Sequence, residues 1–362
     1  MQGLPRRQPL EQQTVEVLRA RIAGGVWLEW LPAERALCAM LQVSRSTLRR
    51  ALLHLRQEGV IRADHGLGNR ILGPASRRGG RMRSHDVALL APEPLERLRP
   101  TQTLWIDELR AMLGERGCRL HVLHGRQYFR AKPGAALEKL VCQHPHGAWV
   151  LLMANEPCQR WFARRGLPCV VAGSCHAGVD LPFRDLDHRA TCRHAAGVLL
   201  GLGHRRLALV AHKELLAGDV ESEAGFLEGV HGPRHPDASV VLCHHDGTSA
   251  GIAQSLKRLV AQKPATTALL VANAYHCLGV VSGLAALGRR VPGEISVISR
   301  DEDPFLDFLV PEPARYVASP RALARSLLQP LLELLEGSRV SQRAGRLMPQ
   351  FVRGASIAPP AS

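Results

Sequence analysis

Between residues 31 and 61 the apolar positions recur at helical spacing twice, separated by a two-residue break. Pro32 suits a first helical turn, and Leu37, Met40 and Leu41 follow on one face. Gln42 and Val43 interrupt the pattern. Ser44 can cap a second helix in which Leu48, Leu52 and Leu55 form the apolar stripe, while Arg45, Arg49 and Arg50 lie off it; Gly59 ends it. Two short helices joined by such a turn outline a helix-turn-helix, whose second helix can enter a major groove. An Arg-rich, Leu-striped pair is equally the outline of an ordinary solvated helical hairpin.

Upstream, Val15, Leu18 and Ile22 predict a supporting helix over residues 9–23, and Trp27 and Trp30 are assigned to packing rather than base stacking. Downstream, VIRADHGLGNRILG reads as strand, glycine turn and strand, a hairpin attached to the basic helix. The unit is therefore expected to be a winged helix-turn-helix, with Arg62 and Arg70 flanking the wing within reach of phosphates.

From residue 85 the rhythm changes. DVALLAP, CRLHVLHG, GAWVLLMA and PCVVAG, then RLALVAH, ASVVLCHH, TALLVAN and GEISVIS, are short apolar strands. Helical patterns at 104–116, 135–142, 158–165, 222–230, 250–261 and 278–287 separate them. Such alternation predicts parallel sheets covered on both faces, here in two α/β lobes with a ligand cleft between them. The expected organisation is a winged-helix domain over 1–72, a basic linker over 73–84 and a two-lobed domain over 85–356.

Charge sharpens this picture. Of a net charge of +15 over 362 residues, +9 falls in residues 1–84, with 15 Lys and Arg against 6 Asp and Glu. The partner is thus expected to be a polyanion that meets the front of the chain. Nine dispersed cysteines without paired CxxC spacing fit reduced core thiols, and no apolar segment is long enough to span a bilayer; a soluble, cytoplasmic protein is expected. The 17 histidines show no HExxH and no compact Cys/His ligand set and are read as incidental surface residues. Without a Walker A loop, GxSxG or a Rossmann fingerprint, no enzyme, cofactor or metal is expected.

Residues 15–72 resemble the GntR family of transcription regulators through LPAERAL, VSRSTLRRAL, LRQEGVI and the G-x-G of the wing. The resemblance implies DNA contacts by Arg35, Ser44, Arg45, Ser46, Thr47, Arg49, His65 and Gly66. Trp30 departs from it, since many relatives carry a polar or basic residue there. Residues 85–356 resemble the periplasmic-binding-protein-like sensor of LacI/GalR repressors through GLGHRRLALV, Gly225 with Phe226, LAALGRRVPGEISVISRDED and MPQFVRGAS. In that family an Arg three residues before the G-F pair commonly grips the effector, and an Asn-Asp pair follows the matching strand. Here the positions hold Ser222 and Asn273-Ala274, which puts a conventional sugar response in doubt.

The effector pocket is expected to use Trp105, Tyr128, Asn155, Asp187, Ser222, Asn273 and Asp301, aromatics for stacking and the others for hydrogen bonds. The expected function is a homodimeric regulator, a repressor by default, that binds an inverted repeat in double-stranded DNA under control of a small molecule such as a sugar. The alternatives are a ligand-independent DNA-binding or scaffold protein whose sensor-like half mainly dimerises, and a sugar-binding transport component, disfavoured by the DNA-binding front.

Overall fold

The computed structural model describes residues 10–23, 26–27, 29–64, 68–72, 85–232 and 235–361. It divides into two units, residues 1–85 with 132–147 and residues 86–131 with 148–362. The expected linker at 73–84 lies outside the described residues.

In the first unit, α1 (Leu10–Ala23), α2 (Glu34–Leu41) and α3 (Arg45–Gln57) precede the hairpin β1 (Ile61–Asp64) and β2 (Gly68–Ile71). Val15, Leu18, Trp27, Leu37, Leu48, Leu52, Leu55 and Ile61 close one core, so the predicted stripes are the buried faces except at Met40 of α2, which is exposed. The turn between α2 and α3 falls at Gln42, whose φ of 51° turns the chain in the left-handed region. Trp27 is in this core; Trp30 is only half-buried and bridges β2 as a third, isolated strand position.

The chain continues through β3 (Val87–Ala91), α4 (Pro100–Gly114), β4 (Leu120–His124), α5 (Gly134–Gln143), β5 (Ala148–Leu152), α6 (Glu156–Arg165), β6 (Cys169–Ala172) and β7 (Phe183–Leu186). Then come α7 (His188–Gly201), β8 (Arg206–His212), α8 (Ala217–Val230), β9 (Ser239–His245), α9 (Ser249–Val260), β10 (Ala268–Val271), α10 (Ala274–Ala286), β11 (Ser296–Ser299) and β12 (Ala314–Val317). The last elements are α11 (Pro320–Glu336), β13 (Ala344–Leu347) and β14 (Gln350–Val352).

Two six-stranded sheets form the lobes of the second unit, in the orders β13-β7-β6-β5-β3-β4 and β14-β12-β11-β10-β8-β9. Strands β3 and β5 are buried along their whole length, as the uninterrupted apolar runs predict for strands covered on both faces. Ala148, Val150 and Leu152 of β5 face α4 and α11, while Trp149 turns to the opposite face and packs 5.7 Å from Phe162 of α6. In the second sheet α7 and α8 cover one face and α9 and α10 the other. One departure from all-parallel sheets is β14, which pairs antiparallel with β12 at an edge.

Each lobe places its second strand outside its first, so the order reverses at β3/β5 and at β8/β10. In such sheets the crevice beyond the carboxyl ends at the reversal is where ligands bind. The chain passes between lobes three times, after β7, after β12 and after β13. Asp187 N donates to Leu347 O at 2.8 Å, tying two of these crossings together.

Candidate functional site

The N-terminal surface is built on α3. Ser44 caps it, accepting from Thr47 N at 3.2 Å, and its Oγ lies 2.8 Å from both Ser46 Oγ and Thr47 Oγ1. Opposite the buried stripe, the side chains of Arg45 and Arg49 are 70% and 61% exposed. Both turn to one carboxylate, Glu34 of α2, at 3.5 and 3.0 Å. One carboxylate cannot neutralise two guanidiniums, and exposed pairs contribute under about 1 kcal/mol, so phosphates can replace it. Arg35 is also exposed on α2. His65 and Gly66 lie outside the described residues.

A cavity of about 250 Å³ opens at the carboxyl ends of both lobe sheets. Trp105, Asn273 and Asp301 line it. Trp105 is buried on α4, and Asn273 caps α10, its Oδ1 accepting from Tyr275 N at 2.9 Å. Tyr128, Asn155 and Asp187 are placed off the lining: Asn155 caps α6 and Asp187 caps α7, as short side chains before helices do. Ser222 is fully buried behind the wall and donates to Gly218 O at 2.8 Å. Met153, just after β5, lines the cavity with a φ of 51°, a sparsely populated conformation for a side chain of its size.

The residue that sequence reasoning missed is Arg300. Coming from the end of β11, its guanidinium donates to Ser222 Oγ at 2.7 Å, to Asp219 Oδ1 at 2.9 Å and to Asp301 Oδ1 at 3.0 Å. A cation therefore stands beside Ser222 although Ser222 supplies none. Burial alone would lower the Arg300 pKa, but Asp301 and Asp219 raise it above the ordinary arginine value. Burial alone would raise the Asp301 carboxyl; Arg300 and Arg99 instead hold it far below the usual carboxylate range.

Arg99 comes from the other lobe. Its Nη1 donates to Asp301 Oδ2 at 2.6 Å and lies 3.7 Å from Asp303, while the Thr101 backbone N and hydroxyl donate to Asp303 Oδ1 at 2.9 and 2.8 Å. Asp301 and Asp303 thus latch the lobes together at the cavity edge. The bare motif SRDED contained these residues, yet their partners are about 80 and 200 positions away.

Several histidines depart from the surface assignment. His204 is buried, within hydrogen-bond distance of Thr267, Ser296 and Ala358 O. His212, His245 and His276 gather at the ends of β8, β9 and the start of α10, with ring centroids 4.4 to 6.3 Å apart. Burial, then the neighbouring His245 and His212, push the His276 pKa down to about 4. His244, next along β9, points the other way to Glu223 at 2.6 Å. Among the described residues no His, Cys, Asp or Glu group is arranged to hold a metal ion.

The family profile of bacterial regulatory proteins of the gntR family matches residues 10–71, and that of the periplasmic binding protein-like domain matches residues 196–357. The HTH-type transcriptional regulator CelR of Thermobifida fusca is 25% identical over 323 residues, 84% of this chain and 92% of its own length. AglR of Rhizobium meliloti is 29% identical over 53% of this chain, which spans about half of that relative, 51%. The curated relatives matched are HTH-type transcriptional regulators, none an enzyme.

Among solved structures, a CelR–cellobiose complex superposes with a TM-score of 0.66 at 20% identity, covering 90% of this chain and 99% of the other. A LacI family regulator from Bifidobacterium animalis subsp. lactis gives 0.65 at 23% identity, over 77% of this chain and 100% of the other. One from Enterococcus faecium with bound ribose gives 0.62 at 17%, over 76% and 99%. These likenesses establish the two-lobed fold. The chain is a GntR-type helix-turn-helix domain fused to a LacI/GalR-like, periplasmic-binding-protein-like sensor domain.

Proposed function

We propose that this protein is a cytoplasmic, sequence-specific transcription regulator, a repressor by default, that binds an inverted repeat as a homodimer and answers to a small molecule in the interlobe cleft. The observation that carries the DNA-binding part is the exposed Arg45 and Arg49 pair on the outer face of α3, sharing Glu34 as their carboxylate. Guanidiniums there can clamp phosphates or read guanine edges, and Ser44, Ser46 and Thr47 present hydroxyls at the same helix start. Two subunits would set two such helices against the two halves of the repeat. A ligand that fits the closed cleft better than the open one shifts the balance between them, and with it the placement of the readers.

Cellobiose and ribose are bound by the similar proteins named above, and a sugar is the first class to try here. A second reading, a sensor half that serves mainly to dimerise, is favoured by the Arg99 to Asp301 contact, which joins the lobes through protein groups alone.

The test uses duplexes selected from a random pool by the full-length chain. Arg45→Ala with Arg49→Ala should reduce preference for the selected duplex by at least about thirtyfold, two base-reading contacts at about 1–3 kcal/mol each, with unfolding unchanged. A folded double variant that binds as the parent does overturns the assignment. Calorimetry against a panel of sugars, run beside the same binding assay, separates a responsive sensor from a silent one.

A further inference from the structure

The outer face of the wing carries a feature that the reading helix does not need. Ile71 N donates to Glu29 O at 2.8 Å and Leu31 N to Asn69 O at 2.9 Å, so the segment around Trp30 extends the hairpin to a third strand. The middle strand alternates: Asn69 is buried and takes Arg56 on its Oδ1 at 3.0 and 2.6 Å, while Arg70 points out. Arg70 stands directly opposite Arg62 in the β1/β2 register. Opposed like charges destabilise a sheet pair, so this arrangement calls for a counter-charge. Asp64 supplies one to Arg62, at 3.0 Å. Among the described residues Arg70 has no carboxylate; its guanidinium carbon lies 6.0 Å from the centroid of the Trp30 ring, at the outer limit of a cation–π contact.

We propose that Arg70, steadied by the Trp30 indole, is a phosphodiester contact of the wing, and that Trp30 is its positioning residue. The proposal rests on the DNA-binding reading above. A flat indole face restrains the long arginine side chain without neutralising it, so its charge stays available to a phosphate and less rotamer entropy is lost on binding. A phosphate contact is sequence-independent and releases counterions, which gives it a signature that a packing residue lacks.

The experiment measures fluorescence anisotropy of the full-length protein on its selected duplex and on an unrelated duplex over a range of KCl concentrations. Arg70→Gln should make the slope of log K against log salt shallower by about 0.9 and weaken both duplexes by the same factor. Trp30→Leu should weaken binding about three- to tenfold, Trp30→Phe about twofold or less, and Trp30→Leu should add under about twofold in the Arg70→Gln background. An unchanged slope in Arg70→Gln, with the parent binding and the Arg45/Arg49 double variant impaired, overturns this proposal and leaves the DNA-binding reading standing. Equal damage by Trp30→Leu in both backgrounds overturns the positioning role. Should Trp30→Leu not fold, the Trp30→Phe and Arg70→Gln pair decides by the same coupling. No binding by the parent overturns both readings.

Discussion

Asp301 is held from both lobes at the cleft, and Asp301→Asn is the most informative single change. The carboxylate is buried and lies between Arg300, at 3.0 Å, and Arg99 of the opposite lobe, at 2.6 Å. Removing one partner of a buried ion pair costs about 3–5 kcal/mol, because the remaining charge stays desolvated. Here each guanidinium keeps a second carboxylate, Asp219 at 2.9 Å for Arg300 and Asp303 at 3.7 Å for Arg99, and Asn keeps one acceptor. The expected loss is therefore about 2–3 kcal/mol, or a fall of about 5–10 °C in the sensor's unfolding midpoint at pH 7.

Acid supplies the control. The Asp301 pKa is held well below its ordinary value of 3.8, so its stabilisation is complete above that value and is lost as pH falls through the lower, folded one. The gap between parent and variant, followed by circular dichroism, should hold down to about pH 4 and narrow below it. A variant that melts with the parent at pH 7, or a gap that does not respond to acid, refutes the latch.

Two further outcomes can be checked on the same instrument. His276 has a folded pKa of about 4 against 6.5 ordinarily, so its contribution is present above about pH 6.5 and lost towards pH 4; His276→Asn should flatten that part of the stability profile, and an unaltered profile contradicts it. A Cβ on Gly225 would sit 2.1 Å from Arg189 O where α8 crosses α7, so Gly225→Ala should cost about 1–3 kcal/mol by denaturant titration, whereas a neutral result would show that the two helices can part.

The winged helix was legible in the chain because its core uses near neighbours: the stripes of α1, α2 and α3 fold onto one another within about fifty residues, and periodicity alone finds them. The strands of the lobes were legible for a related reason, since burial on both faces leaves uninterrupted apolar runs. The segments left unassigned were β7, β12, α11, β13 and β14. Strands β7 and β13 read FRDL and AGRL, polar enough to pass for loops, and they become strands by pairing with each other across some 160 residues. Helix starts were read late, at 104, 222 and 278 against Pro100, Ala217 and Ala274, because the first turns face the cleft or carry small residues and show no stripe. The cleft was legible only in part. Trp105, Asn273 and Asp301 sit at strand ends or helix starts that pattern locates, but the partners of Arg300 and Arg99 are set by tertiary approach, and no local signal pairs residue 99 with residue 301.

The three passages of the chain between the lobes, two of them tied by the Asp187 to Leu347 bond, restrict what any ligand can say. Three adjacent tethers permit rotation about the line they define and resist sliding and lengthening. On the proposed function, the chemistry of a ligand in the cavity is therefore translated into a single variable, an angle. Unlike ligands become equivalent inputs when they set the same angle, and the pocket can change its diet without any change to the machinery that reads it.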